Sequence, residues 1–145
     1  MQISRSLEYA VRGLVRLASS SHPLSLKEIA KIEEIPSAYL AKIMRILVKG
    51  GIVTSTKGRK GGYFLLKTPN QIALYDLYLL FEKKDKLLPC FNDDSLCSAR
   101  SNCSQKLVWV KVEKALLDTF KKISLKEMFS KKISRRKVKY ERSFN

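Results

Sequence analysis

Apolar residues recur at helical spacing through the first fifty residues and predict three helices. The first covers residues 4–19, where leucine and valine side chains form one stripe. Ser25 and Glu28 have the spacing of a capping box and predict a second, short helix that stops near Glu34. A third helical pattern follows and ends at the glycine pair Gly50–Gly51, where a left-handed residue favours termination.

The pattern then changes to the short apolar runs of a β-hairpin. Ile52–Thr54 and Tyr63–Leu66 read as strands around a glycine-rich turn that carries Lys57, Arg59 and Lys60. The order helix, short helix, helix and hairpin is that of a winged helix-turn-helix. In that fold the third helix enters the major groove of DNA, and the hairpin lies along the backbone or in the minor groove.

Two further helices follow the hairpin, over residues 72–83 and 107–123. The second carries an apolar stripe made of Val108, Trp109, Val112, Leu116 and Phe120. A small domain has little left for this stripe to pack on, so we expect it to pack on the same helix of a second subunit. Packing within one chain is the alternative. The predicted fold class is therefore mostly α, a winged helix-turn-helix with a β-hairpin wing and a long C-terminal dimerisation helix.

These elements divide the chain into four predicted parts. Residues 1–82 form the DNA-binding domain, and residues 83–106 form a loop that contains the cysteines. Residues 107–130 hold the dimerisation helix and a C-terminal segment. Residues 131–145 are basic and lack an apolar period, which predicts a disordered tail.

The charge balance points to a polyanionic partner. The chain has 145 residues, with 29 lysines and arginines against 13 acidic residues and a net charge of +16. Such a surplus attracts nucleic acid first and an anionic membrane second. No segment has the pattern of a signal peptide or a membrane span, so we expect a cytoplasmic protein with DNA and no membrane as its partner.

All three cysteines, Cys90, Cys97 and Cys103, lie in one polar stretch. Thiols stay reduced in the cytoplasm, so an odd count of cysteines indicates a metal or a reactive thiol before a disulfide. Three interpretations remain open: an iron–sulfur cluster, a zinc site or redox-sensing thiols. Zinc sites usually bring their cysteines in close pairs, which this stretch lacks.

The segments SRSLEYAVRGLVRLA, YLAKIMRILVKGGIV and KGRKGGYFL, followed by three spaced cysteines and ISLKEMF, identify a family. Over residues 1–130 the chain resembles the winged helix-turn-helix iron–sulfur transcription regulators that include IscR and NsrR. The resemblance implies a homodimer in which a long C-terminal helix crosses to the partner. It also implies a cluster whose state controls DNA binding.

The resemblance assigns the cluster ligands by position. Cys90, Cys97 and Cys103 occupy the positions of the three thiolate ligands. Lys106 stands where IscR-type members have a histidine ligand, and Glu8 stands where the nitric-oxide-sensing branch has a carboxylate from the other subunit. Three thiolates and one carboxylate suit a four-iron cluster better than a two-iron cluster, with the weak oxygen ligand at a labile iron.

The expected DNA contacts lie in the third helix and at the hairpin tip. They are Ser37, Tyr39, Lys42, Arg45, Lys57, Arg59 and Lys60. We therefore expect a transcriptional regulator, acting as a repressor, whose cluster senses nitric oxide, redox state or iron supply. The alternative is a metal-free winged-helix regulator with redox-sensing thiols or a small-molecule or partner signal. An enzyme is not expected, because the sequence has neither a cofactor glycine motif nor a catalytic constellation.

Overall fold

The computed structural model of the chain describes residues 3–82, 88 and 103–130. Within these ranges it has six α-helices, one short 3-10 turn and two antiparallel strands. The elements are α1 Arg5–Ala18, α2 Leu26–Glu33, α3 Ser37–Lys49, β1 Val53–Thr56, β2 Gly62–Leu65, the 3-10 turn Pro69–Gln71, α4 Leu74–Phe81, α5 Lys106–Lys122 and α6 Leu125–Ser130. The prediction of a mostly helical winged helix with a hairpin wing is confirmed.

Helix α1 lies at the centre of the core. It begins at Ser4, whose Oγ accepts the backbone N–H of Leu7 at 3.2 Å. Its buried face contacts α2, α3, α4, α6 and β2. The buried residues of α1 are Leu7, Ala10, Gly13, Leu14 and Leu17. One helix therefore carries the packing of both the helix-turn-helix and the C-terminal segment.

The helix-turn-helix begins with the predicted capping box. The backbone N–H of Ser25 donates to Glu28 Oε2 at 2.7 Å, and the backbone N–H of Glu28 donates to Ser25 Oγ at 3.2 Å. The hydrogen bonds from Ser25 lower the pKa of Glu28, because they favour its charged form. After α2, Glu34 adopts a left-handed conformation with φ of 54°, and Ile35 turns into the core. This turn sets the direction of α3.

Helix α3 buries one face and exposes the other. Leu40, Ile43, Met44 and Leu47 are buried. The helical spacing of Leu40, Ile43, Ile46 and Leu47 in the sequence predicts that all four face the core, but Ile46 is 38% exposed and Met44 is buried instead. The reason is helical geometry, because positions 40, 43, 44 and 47 lie on one arc and position 46 lies outside it.

The wing is a hairpin with a third segment at its edge. Strands β1 and β2 pair from Val53↔Leu65 to Thr56↔Gly62. Leu24 bridges Tyr63 through two backbone hydrogen bonds of 3.0 and 2.8 Å. A Cβ on Gly62 would come within 2.6 Å of the Leu24 carbonyl, so glycine is required for this close approach.

The C-terminal segment returns to the core after α5. The backbone N–H of Leu125 donates to the Ile72 carbonyl at 2.8 Å, and that of Leu74 donates to the Ile123 carbonyl at 2.9 Å. Leu125 is fully buried in the core that α1 organises. Phe120 is also buried and packs on Tyr78 with a ring-centroid distance of 5.4 Å. The end of α5 is thereby anchored to the first part of the chain.

Within the described ranges, no helix combines the length and apolar character that crossing a membrane requires.

We predict that Gly62→Ala destabilises the protein by about 2–3 kcal/mol, because the added Cβ breaks the two hydrogen bonds between Leu24 and Tyr63. Urea unfolding followed by circular dichroism measures the change. The matched control is Gly13→Ala, whose Cβ would meet only two side-chain atoms, both at 3.9 Å. That change should be neutral or stabilise by about 0.5–1 kcal/mol. Equal stability of the Gly62→Ala variant and the wild type would contradict the assignment of the Leu24 edge.

Candidate functional site

The exposed face of α3 carries the side chains predicted to contact DNA. Ser37, Tyr39, Lys42 and Arg45 are all exposed and lie opposite the buried face of the helix. Pro36 precedes the helix and provides no side-chain cap. The first turn of α3 therefore presents backbone N–H groups together with the hydroxyls of Ser37 and Tyr39, and the cations Lys42 and Arg45 follow in the next turns.

The wing tip carries the second group of predicted contacts. Lys57, Arg59 and Lys60 are exposed, and none forms an ion pair with another described residue. Gly58 has φ of +107°, and a Cβ on Gly61 would lie 2.3 Å from the Thr56 carbonyl oxygen. Glycine at these two positions allows the tight turn that projects three cations from one point.

Glu8 projects from the first turns of α1 and connects to the helix-turn-helix through arginine. Its side chain is 56% exposed, and its Oε1 lies 3.8 Å from Arg12 Nη1. Arg12 also contacts Glu33 of α2, through Nε to Oε2 at 3.4 Å and through Nη2 to the Glu33 carbonyl oxygen. Arg16 Nε lies 2.8 Å from Glu33 Oε1. The carboxylate of Glu8, the candidate cluster ligand, is therefore linked to α2 through two successive ion pairs, first with Arg12 and then from Arg12 to Glu33.

Cys103 stands directly before α5. It is half-buried, and its carbonyl oxygen accepts the backbone N–H of Lys106 at 3.3 Å. Cys90 and Cys97 lie outside the described residues, as does the basic tail 131–145. No three potential metal ligands come together in the ranges that the structure describes.

Glu8 lies beside the far end of α5 in the same chain. An apolar cavity of about 470 Å³ is lined by residues of α1, α4 and α5, among them Glu8, Leu116 and Phe120. Leu116 is ten residues beyond Lys106, which corresponds to about 15 Å along a helix. Glu8 is therefore distant from the helix start that Cys103 precedes.

The first half of α5 exposes a continuous apolar surface. Leu107 is 75% exposed, and four of its neighbours are also exposed: Val108, Trp109, Val110 and Val112. The predicted stripe is thus divided, since Leu116 is half-buried and Phe120 is buried within the chain. Five exposed apolar residues in the first half of one helix form a larger apolar surface than is usual for a helix that faces only water.

The sequence did not predict the polar contacts of α1. Ser6, Arg12, Arg16 and Glu33 join α1 to the helix-turn-helix, and none of them was singled out. A signal was present, because Arg12 and Arg16 have the i,i+4 spacing that places two side chains on one helix face. Their partner Glu33 lies on another element, so only the tertiary structure identifies it.

These features define a winged-helix DNA-binding protein of the transcription-regulator class. The family model Rrf2, described as an iron-dependent transcriptional regulator, matches residues 3–131. The chain belongs to the Rrf2 family. The predicted resemblance to IscR- and NsrR-type regulators is confirmed by the relatives and structures that follow.

Two curated proteins are examples of relatives similar to this chain in sequence. An HTH-type transcriptional regulator of Aquifex aeolicus is 34% identical over 90% of this chain and 92% of its own length. The HTH-type transcriptional regulator NsrR of Shouchella clausii is 30% identical over 88% of each chain. Both are named as transcriptional regulators.

Two solved structures represent the structural similarity. The IscR of T. potens has a TM-score of 0.72 at 28% identity and covers 90% of this chain and 87% of its own. The oxidised form of Staphylococcus aureus CymR has a TM-score of 0.69 at 27% identity and covers 89% of this chain and 96% of its own. Both kinds of regulator therefore share the fold described above.

Proposed function

We propose that the chain is a dimeric transcriptional repressor that binds operator DNA through α3 and the wing. An iron–sulfur cluster held by Cys90, Cys97 and Cys103, with Glu8 of the partner subunit as the fourth ligand, controls its affinity. A four-iron cluster fits this donor set best, because a single oxygen ligand leaves one iron open to small molecules. The signal is nitric oxide, redox state or iron supply.

The DNA-binding part rests on one observation, the unpaired cations of the wing tip beside the exposed face of α3. Lys57, Arg59 and Lys60 have no acidic partner among the described residues, so their charge is available to phosphates or a narrow minor groove. Ser37 and Tyr39 lie at the start of α3, where a recognition helix meets base edges and phosphates. Lys42 and Arg45 extend the same surface.

The dimer rests on the apolar surface of α5. Val108 and Val112 are 59% and 45% exposed, and a second copy of this helix would remove both from water. The apolar cavity beside Leu116 and Phe120 offers a further place for side chains of the partner helix. A two-fold dimer also places two recognition helices against one palindromic site.

Two observations support the assignment of the cluster ligands: the thiol and carboxylate groups that the chain offers, and the distance along α5. Cys103 supplies a thiol at a helix N-terminus, and Glu8 supplies an exposed carboxylate. Glu8 lines the same cavity as Leu116, which lies about 15 Å along α5 from the start of that helix, and this favours a ligand role of Glu8 toward the partner subunit. When bound, the cluster supplies an iron that small molecules can reach.

In this proposal Arg12 couples the cluster ligand Glu8 to the helices that bind DNA. Glu8 and Glu33 share this arginine, and Glu33 ends the helix that precedes the recognition turn. If Glu8 engages the cluster, Arg12 loses one of its two carboxylate partners. The polar contacts between α1 and α2 then change, and α3, which packs on both helices, shifts with them.

A second candidate is a metal-free regulator that senses oxidants with its thiols. The similarity to an oxidised CymR structure favours it, together with the partial exposure of Cys103. This candidate keeps the same DNA-binding surface and dimer. Iron and sulfide content separate the two candidates.

The wing cations give a prediction for DNA affinity. Replacing Lys57, Arg59 and Lys60 with glutamine should weaken binding to a duplex selected from a random library at least about tenfold, because phosphate contacts are lost. The slope of log affinity against log salt should fall by about 0.9 for each lost contact. Fluorescence anisotropy measures both. The control, Lys114, Lys122 and Lys126 to glutamine, removes the same charge from the C-terminal helices. Equal weakening by the control would contradict a wing contact.

The dimer surface gives the second prediction. The double change Val108→Glu and Val112→Glu should produce a folded monomer, because charges would have to be buried in the subunit interface. Sedimentation velocity measures the mass, and circular dichroism confirms the fold. Lys114→Glu changes the net charge on the same helix equally and should stay dimeric. A double variant that sediments as the wild-type dimer would place the interface elsewhere.

The ligand set gives the third prediction. Cys103→Ser should remove bound iron and sulfide from anaerobically purified protein, whereas Ser104→Ala at the neighbouring exposed position should retain both.

Glu8→Gln should retain the cluster, but the variant should lose the cluster faster than the wild type in nitric oxide, because the carboxylate ligand is missing. Iron analysis, sulfide analysis and the visible spectrum measure these outcomes. A wild-type protein that binds its operator without iron or sulfide would exclude the cluster and favour thiol sensing.

A further inference from the structure

We infer that the hydroxyl of Tyr39 is a positioning group, which Ser6 of α1 holds to fix the first turn of the recognition helix. This inference rests on the proposed binding of DNA by α3. It adds a role for Ser6 and changes the role of the Tyr39 hydroxyl from a contact with DNA to a contact inside the protein.

The contact is direct and joins two elements that are far apart in sequence. Ser6 Oγ lies 2.8 Å from the Tyr39 hydroxyl oxygen, across 33 residues of chain. The Tyr39 ring also meets the Tyr9 ring edge-on, with centroids 5.7 Å apart and planes at 89°. Arg12 lies over the Tyr9 ring at 5.5 Å. Tyr39 is thus held at its hydroxyl and at its ring by one face of α1.

The first turn of α3 needs such a contact. Pro36 gives the helix no side-chain cap, and the residues next to it, Ser37 and Ala38, are exposed. The first buried residue of α3 is Leu40. Between the buried residues Ile35 and Leu40, it is Tyr39 that contacts α1 through its hydroxyl and its ring. A side chain that fixes a binding turn in advance lowers the entropy lost when DNA binds.

Ser6 is itself well placed, because the start of α1 is held at Ser4. The Ser4 backbone N–H donates to Glu82 Oε1 at 3.0 Å, and Ser4 Oγ accepts the Leu7 N–H. Glu82 is the residue after which the cysteine-containing segment of the sequence begins. The start of α1 thus contacts Glu82, which precedes the cysteine-containing segment, and Tyr39 in the first turn of α3.

A positioning role and a direct DNA contact make different predictions for paired substitutions. If the Tyr39 hydroxyl acts through Ser6, removing either hydroxyl removes the same interaction, and removing both costs no more than removing one. If the hydroxyl contacts DNA independently of Ser6, Ser6→Ala leaves binding unchanged or adds a separate effect that multiplies with that of Tyr39→Phe. The cycle of Ser6→Ala, Tyr39→Phe and the double variant therefore decides between the two roles.

Affinity for the selected duplex is measured for the wild type and these three variants, with Ser19→Ala as a control. Ser19 lies at the other end of α1, and its Oγ donates to the Val15 carbonyl at 2.8 Å. We expect each single change to weaken binding about threefold to tenfold, the double change to weaken it equally, and Ser19→Ala to have no effect. Ser6→Thr keeps a hydroxyl and should restore binding. Unfolding midpoints should stay within about 3 °C of the wild type.

Multiplying effects, or normal binding by Ser6→Ala, would overturn the positioning role and leave DNA binding intact. A loss of affinity in Ser6→Ala that Ser6→Thr fails to restore would also overturn it. A wild-type protein without affinity for any duplex would instead remove the proposed function, and the inference with it.

Discussion

The packing of α1 is the constraint on which the rest of the structure depends. One face of this helix is buried against α2, α3, α4 and α6, and it is lined by residues such as Leu7 and Leu14 that have almost no exposure. The other face carries polar groups that contact α2 and the first turn of α3. Because a packed core resists small displacements, α1 cannot move without moving these partners. The helix that carries Glu8 is therefore coupled mechanically to α3, the helix proposed to bind DNA.

The two halves of helix α5 lie in different surroundings. Its C-terminal half is fixed inside the chain by Phe120, and the following Leu125 returns to the core. Its N-terminal half is exposed and apolar, and it begins just after Cys103. In our proposal the exposed half forms the dimer and also places the thiols near Glu8 of the partner subunit. Dimerisation and sensing would then share one structural element.

Local signals in the sequence account for most of the fold. The capping box at Ser25 and the left-handed glycine Gly51 were read from residue type and spacing, because both depend on neighbours in the chain. The edge pairing of Leu24 and the bond between Ser6 and Tyr39 were not predicted, because they join residues that are distant in sequence. The apolar stripe of α5 was visible, but its division into a buried end and an exposed end was not. That division depends on how the return of the chain at Leu125 anchors the end of the helix.

We propose that α3 and the wing together recognise a specific DNA sequence. The ratio of two affinities at physiological salt tests this proposal, one for a duplex recovered by selection and one for a scrambled duplex of the same length and composition. We expect a ratio of about a thousand or more, as specific regulators have over non-specific sites. Equal affinities for the two duplexes would mean that the cations only attract phosphates and that α3 and the wing do not recognise a sequence.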